Sequence, residues 1–100
     1  MSPLSGIADA DLAAKIHAAL QAVIDPELGR DVVALGLIYH VEATDAGDVR
    51  IVMTTTIPGC PAAGFLVDAV RYAASAVEGI GGVDVRLTHE PPWHPGMMIS

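Results

Sequence analysis

Residues 37–56 have the sequence LIYHVEATDAGDVRIVMTTT, and their pattern decides the fold. Side chains alternate between an apolar and a more polar face from Leu37 to Thr44 and again from Val49 to Thr56, which is the periodicity of β-strands. Residues 45–48, with two aspartates and a glycine, supply the turn chemistry between the two segments. The stretch therefore predicts an antiparallel β-hairpin.

Helical periodicity appears on both sides of this hairpin. Residues 12–24 carry apolar side chains at helical spacing after Asp9, a suitable N-cap, and Pro26 should end that helix at about Ile24. After the hairpin, the polar side chains of residues 62–78 fall in one stripe, so the other face is free to pack on a sheet. Two helices are predicted, one before and one after the hairpin.

A third strand completes the predicted fold. Val83, Val85 and Leu87 alternate with polar residues, and a right-handed crossover through the second helix makes this strand parallel to the second one. The order helix-strand-strand-helix-strand predicts an α+β fold, a two-layer α/β sandwich with a three-stranded mixed sheet. We expect a single domain over residues 1–100, with flexible ends at 1–8 and 96–100.

Composition restricts the class of function. Five basic and twelve acidic side chains give a formal charge of −7, which disfavours binding to nucleic acid or to an anionic membrane. No apolar run approaches the roughly 20 residues that span a bilayer, and the N-terminus lacks the features of a signal peptide. A single cysteine excludes an internal disulfide. We therefore expect a cytoplasmic protein.

The single cysteine, Cys60, is the first candidate functional residue. It lies in the stretch 58–61, where a threonine-rich strand gives way to the second helix. We predict that Cys60 is the N-cap of that helix, where unpaired backbone N–H groups and the helix dipole favour the thiolate. Gly59 allows close backbone approach, and Pro61 suits the first helical position. Cys60 is then a nucleophile or metal ligand, or alternatively a small buried apolar residue.

A second candidate is the acidic segment 25–29, DPELG, directly after the first helix. It predicts a single capped turn in which Asp25 accepts backbone N–H groups and Gly29 closes the turn. Two carboxylates, those of Asp25 and Glu27, are thus held two residues apart. Capping alone also explains this pattern.

Four stretches together resemble a known family. Residues 25–28, 35–39, 56–61 and 91–95 are similar, in order and spacing, to the signature stretches of the SufT and PaaD group of iron–sulfur cluster assembly factors. The eukaryotic cytosolic targeting subunit belongs to the same group. The resemblance implies a non-enzymatic factor, often a homodimer, that carries, receives or targets iron–sulfur clusters. Its partners would be client apoproteins and other cluster assembly proteins.

The family's site residues carry over by motif match onto Asp25, Glu27, Thr56 and Cys60, with Trp93 as a possible contact in the tail. Glu90 and Gly96 stand where the family often has aspartate. The cysteine-rich C-terminal segment of the longer PaaD-type relatives is not in this sequence, which disfavours a role dedicated to phenylacetate oxygenase.

A mechanism follows from the number of ligands. A stable cluster usually takes four ligands, mostly thiolates, and this chain offers one. We expect Cys60 to be a transient ligand, shared with a second chain or with a client, and Thr56 to hydrogen-bond near it. Asp25 and Glu27 would polarise the site or receive metal, provided that their loop folds over the start of the second helix.

Other interpretations stay open from the sequence. His89 and His94 are candidate metal ligands beside Cys60, and Trp93 is an apolar lid or a dimer anchor. A thiol-based redox enzyme using Cys60 is one rival, although the chain has no resolving cysteine. The other rival is a client-binding interaction module with no metal role.

Overall fold

The computed structural model describes residues 7–98. It contains two α-helices, three β-strands and two short 3₁₀ segments, in the predicted order. These are α1 (Ala10–Ala19) with a 3₁₀ extension (Leu20–Ala22), β1 (Ile38–Ala43), β2 (Asp48–Met53), α2 (Ala63–Ser75), β3 (Gly82–Leu87) and a second 3₁₀ segment (Pro95–Met97). No helix within residues 7–98 is long and apolar enough to cross a membrane.

The strands form one sheet in the order β1-β2-β3. Strand β2 pairs antiparallel with β1 and parallel with β3, so the hairpin and the crossover are confirmed. The register shifts between Ile38 and His40, which marks a β-bulge that the alternation did not predict. Tyr39, at the bulge, donates its hydroxyl hydrogen bond to the Pro91 carbonyl at 2.7 Å.

Both helices pack against the sheet and share one core with it. Helix α1 contacts β1, and helix α2 contacts β3. The buried side chains that these elements contribute are Leu12, Ile16 and Leu20, then Val49, Ile51 and Met53, then Leu66, Val70 and Ala74. The predicted two-layer sandwich with a mixed sheet is confirmed.

A polar cap begins the first helix at the predicted residue, Asp9. The carboxylate of Asp9 accepts a hydrogen bond from the Leu12 N–H at 3.0 Å, which begins α1. Val23 is already extended, two residues before Asp25. The helix therefore ends before the residue that Pro26 restricts, at the point where the Val23 carbonyl accepts from the Val32 N–H.

The C-terminal tail packs against the segment that precedes β1. The indole N–H of Trp93 donates to the Leu35 carbonyl at 2.7 Å. Gly36 has φ +73°, and the backbone of Met97 fills the space that a β-carbon would need there. Residues 1–6 and 99–100, part of the ends predicted to be flexible, lie outside the described residues.

Candidate functional site

Cys60 lies in a turn before helix α2. The helix begins at Ala63, and its N-cap is Ala62, which makes no side-chain cap hydrogen bond. The Cys60 carbonyl accepts from the Ala63 N–H at 3.0 Å, and Ala62 accepts the first i→i+4 bond, from Leu66 at 2.9 Å. The prediction that Cys60 is the N-cap and Pro61 the first helical residue is therefore wrong. A tight turn over residues 60–63 comes first, so the sulfur is not at the cap.

A carboxylate, rather than the helix end, is the polar neighbour of the sulfur. Cys60 is only 6% exposed, and its thiol lies 4.0 Å from Oε1 of Glu27, which is an exposed residue. At that distance the thiol is a weak donor to the carboxylate. Gly59 precedes it with φ +75°, and a β-carbon there would meet no neighbour, so Gly59 is required for its dihedral angles alone.

Asp25 builds the turn that presents Glu27. Its carboxylate is 3% exposed and accepts from the backbone N–H groups of Glu27 at 2.8 Å and Leu28 at 3.3 Å. The Asp25 carbonyl accepts from Gly29, which has φ +68°. The capped turn is confirmed, and the position of Glu27 depends on the Asp25 cap.

Backbone hydrogen bonds fasten this acidic loop at its base. The Val32 N–H donates to the Val23 carbonyl at 2.9 Å, and the Asp25 N–H donates to the Arg30 carbonyl at 2.9 Å. Asp31 then caps the next turn through the Val33 and Ala34 N–H groups, each at 3.0 Å. The contact of Glu27 with Cys60 shows that the loop reaches the turn before α2, which meets the condition set for the role of Glu27; Asp25 instead caps its own turn.

The threonines after β2 differ from one another. Thr56 is half-buried, and its hydroxyl makes no hydrogen bond among residues 7–98, so its role beside Cys60 stays a prediction. Thr55 is 1% exposed, donates to the Ile57 carbonyl at 2.7 Å and lies 3.0 Å from Nε2 of His89. The sequence contains no signal for this contact, because Thr55 and His89 are 34 residues apart.

The remaining candidates have structural partners. Nδ1 of His94 accepts from the Gly96 N–H at 3.1 Å, and the Trp93 indole is bonded to Leu35. Within the described part of the chain, no group of three or more histidine, cysteine, aspartate or glutamate side chains is placed to hold a metal ion. His89 and His94 therefore do not join Cys60 in a metal cage, and donors from a second molecule would be needed.

Comparison with known proteins assigns the family. Residues 13–87, which include Asp25, Glu27, Thr56 and Cys60, match the model of the family described as iron–sulfur cluster assembly protein. The chain belongs to this family. Trp93 lies beyond the matched residues.

Two curated relatives of this chain are both named as Fe-S protein maturation auxiliary factors. The Fe-S protein maturation auxiliary factor of Porphyromonas gingivalis is 46% identical over 79 residues, which cover 79% of this chain and 75% of the relative. The Fe-S protein maturation auxiliary factor SufT of Staphylococcus aureus is 41% identical over 76 residues, which cover 76% of this chain and 86% of the relative. The resemblance inferred from the four motifs is confirmed.

A solved structure has the same fold as this chain. The domain of unknown function DUF59 from Bacillus anthracis superimposes with a TM-score of 0.85 at 42% sequence identity. The match covers 88% of this chain and 84% of the other.

Proposed function

We propose that this protein matures iron–sulfur proteins by transiently carrying or targeting clusters to client apoproteins through Cys60. The observation that carries the proposal is the Cys60 sulfur lying 4.0 Å from the Glu27 carboxylate. These two groups come from loops 33 residues apart, and backbone hydrogen bonds fix the acidic loop. Family membership and the names of the relatives support the same function.

The ligand set suits transfer better than storage. A cluster needs about four ligands, and this chain supplies one thiol with one nearby carboxylate. The cluster is therefore cargo, held between Cys60 and thiolates of a second copy or of the client. A site completed by another molecule releases its cargo when that molecule departs or supplies more ligands.

Glu27 has a specific chemical part in this scheme. Metal binds the thiolate, so a thiol ligand must lose its proton when the cluster arrives. The Glu27 carboxylate is positioned to accept that proton and, being exposed, to release it to water; the ionised carboxylate would then be available as a further oxygen ligand for iron. Because Glu27 is exposed while Cys60 is buried, an approaching cluster meets the carboxylate before the sulfur.

The same proposal covers the compartment, the oligomeric state and the partners of the protein. We infer a non-enzymatic factor that works in the cytoplasm as a homodimer, with client apoproteins and other assembly proteins as partners. The charge of −7 is consistent with protein partners and disfavours nucleic acid and anionic membranes.

The test is anaerobic reconstitution with iron and sulfide, followed by transfer to the apoprotein of an iron–sulfur dehydratase. We expect Cys60→Ala and Cys60→Ser to lose cluster uptake, measured by visible absorption and iron content, and to lose client activation. Ser75→Ala, on the exposed face of α2, is the matched control and should behave as the wild type. Unchanged uptake and unchanged activation in Cys60→Ala would overturn the proposal.

A further inference from the structure

Two consecutive hydrogen bonds link the turn before Cys60 to His89, the second residue after β3. The hydroxyl of Thr55 donates to the Ile57 carbonyl at 2.7 Å, and the same oxygen lies 3.0 Å from Nε2 of His89. Thr55 is almost fully buried, at 1% exposure. Burying a polar group costs free energy unless the group makes its hydrogen bonds. The directions of these two hydrogen bonds therefore show whether each group has a partner.

Counting protons fixes the direction of both bonds. A hydroxyl has one proton, and the Ile57 carbonyl can only accept, so the Thr55 proton lies on that bond. Nε2 of His89 must then carry a hydrogen and donate it to the Thr55 oxygen. Both the Nε2–H neutral tautomer and the imidazolium satisfy this requirement. His89 therefore donates to the Thr55 hydroxyl, and that hydroxyl donates to the Ile57 carbonyl.

The two residues at the ends of these hydrogen bonds, His89 and Ile57, differ in how firmly the fold holds them. His89 is the second residue after β3, and the Thr88 N–H between them extends the parallel ladder by donating to the Met53 carbonyl at 2.8 Å. The Ile57 end lies in the loop that leads to Cys60, and the Ile57 side chain is 56% exposed, so packing contributes little there. The two hydrogen bonds therefore connect a loosely packed loop to the end of the sheet.

We propose that Thr55 and His89 are positioning residues for Cys60. By fixing the Ile57 carbonyl they hold the loop 56–60 in place, which keeps the sulfur covered and beside Glu27. This inference rests on the proposed function of Cys60 for its biological meaning. The positioning itself is measurable without any cluster.

The readout is the rate at which iodoacetamide alkylates Cys60 in the folded protein. Since the sulfur is 6% exposed, alkylation requires the loop to open. Thr55→Val keeps the shape but leaves the Ile57 carbonyl and the His89 N–H unpaired, and we expect the rate to rise about tenfold. His89→Leu keeps the Thr55–Ile57 bond and removes only its tie to His89, so it should give a smaller increase, and the double variant should match Thr55→Val.

Conservative variants separate positioning from general destabilisation. Thr55→Ser keeps the hydroxyl and His89→Gln keeps an N–H donor, so both should alkylate within about twofold of the wild type. Thr44→Val is the matched control, because Thr44 is a 5% exposed threonine whose hydroxyl accepts from the Asp48 N–H in the distant hairpin turn. It should lower the free energy of unfolding without exposing Cys60.

Two outcomes would overturn the inference. One is a rate within about twofold of the wild type in both Thr55→Val and His89→Leu. The other is an equal acceleration in Thr44→Val at a matched loss of stability. Neither outcome bears on the cluster uptake of Cys60→Ala, and a failure of that uptake test would leave the alkylation result standing. The two proposals thus fail separately.

Discussion

At the scale of single residues, the proposed site is a carboxylate beside a thiol. Asp25 and Glu27 are two residues apart but have different tasks: Asp25 is buried and caps the turn, whereas Glu27 is exposed and lies near the Cys60 sulfur. The motif alone treats both as site acids. In the structure, one caps the turn and the other lies beside the Cys60 thiol.

Glu27→Gln tests the chemical task. The amide has the same shape, and the Glu27 backbone N–H that bonds to Asp25 is unaffected, so stability should not change. Losing a carboxylate beside a metal-binding group typically costs about tenfold or more in affinity, and we expect iron uptake to fall by that order. Iron titration with matched thermal unfolding measures both quantities. Uptake equal to that of the wild type would remove Glu27 from the mechanism.

Asp25→Ala tests the structural task. The alanine loses a cap to two backbone N–H groups, which should lower the free energy of unfolding by about 1–2 kcal/mol in urea titration. Asp25→Asn retains an acceptor oxygen and should lose less. If Asp25→Asn instead abolished cluster uptake at nearly full stability, the charge of Asp25 would be a direct part of the site.

At the scale of elements, the tail and the segment before β1 support each other. Trp93 donates to Leu35, Tyr39 donates to Pro91, and Met97 lies against Gly36. Strand β3 continues into this tail through His89. The tail is therefore part of the packed structure, and the bulge at Tyr39 places the hydroxyl that holds it.

Gly36→Ala should be strongly destabilising for two reasons. The positive φ of +73° strains any residue with a β-carbon, and the Met97 backbone occupies the space which that carbon would need. We expect a loss of about 2–4 kcal/mol in the free energy of unfolding. Gly64→Ala is the matched control: it lies in α2 with no neighbour near its β-carbon position, and should gain up to about 1 kcal/mol. Equal stability of the two variants would contradict the packing described for the tail.

At the scale of the whole molecule, the sandwich brings two distant loops to one place. Residues Glu27 and Cys60 are 33 positions apart in sequence. One follows the first helix and the other precedes the second, and both helices pack on the same core. Within residues 7–98, one chain presents one cysteine thiol and no group of three or more histidine, cysteine, aspartate or glutamate side chains placed to hold a metal ion. The proposed cargo site is thus completed only by another molecule.

Five features could be predicted before the structure was known: the order of the elements, the hairpin, the parallel third strand, the Asp25 cap and the family. These features depend on local periodicity, on turn chemistry and on short motifs, all of which are properties of neighbouring residues. Cys60, Glu27, Asp25 and Thr56 were identified as candidates on the same basis.

Four features could not be predicted from the sequence and are seen only in the folded protein. They are the start of α2 at Ala63, the bulge near Tyr39, the approach of Glu27 to Cys60 and the contact of Thr55 with His89. Each depends on how segments far apart in sequence pack together. Periodicity indicates which side of a segment is buried, but the partner that a buried group meets is set by the packing of the whole fold.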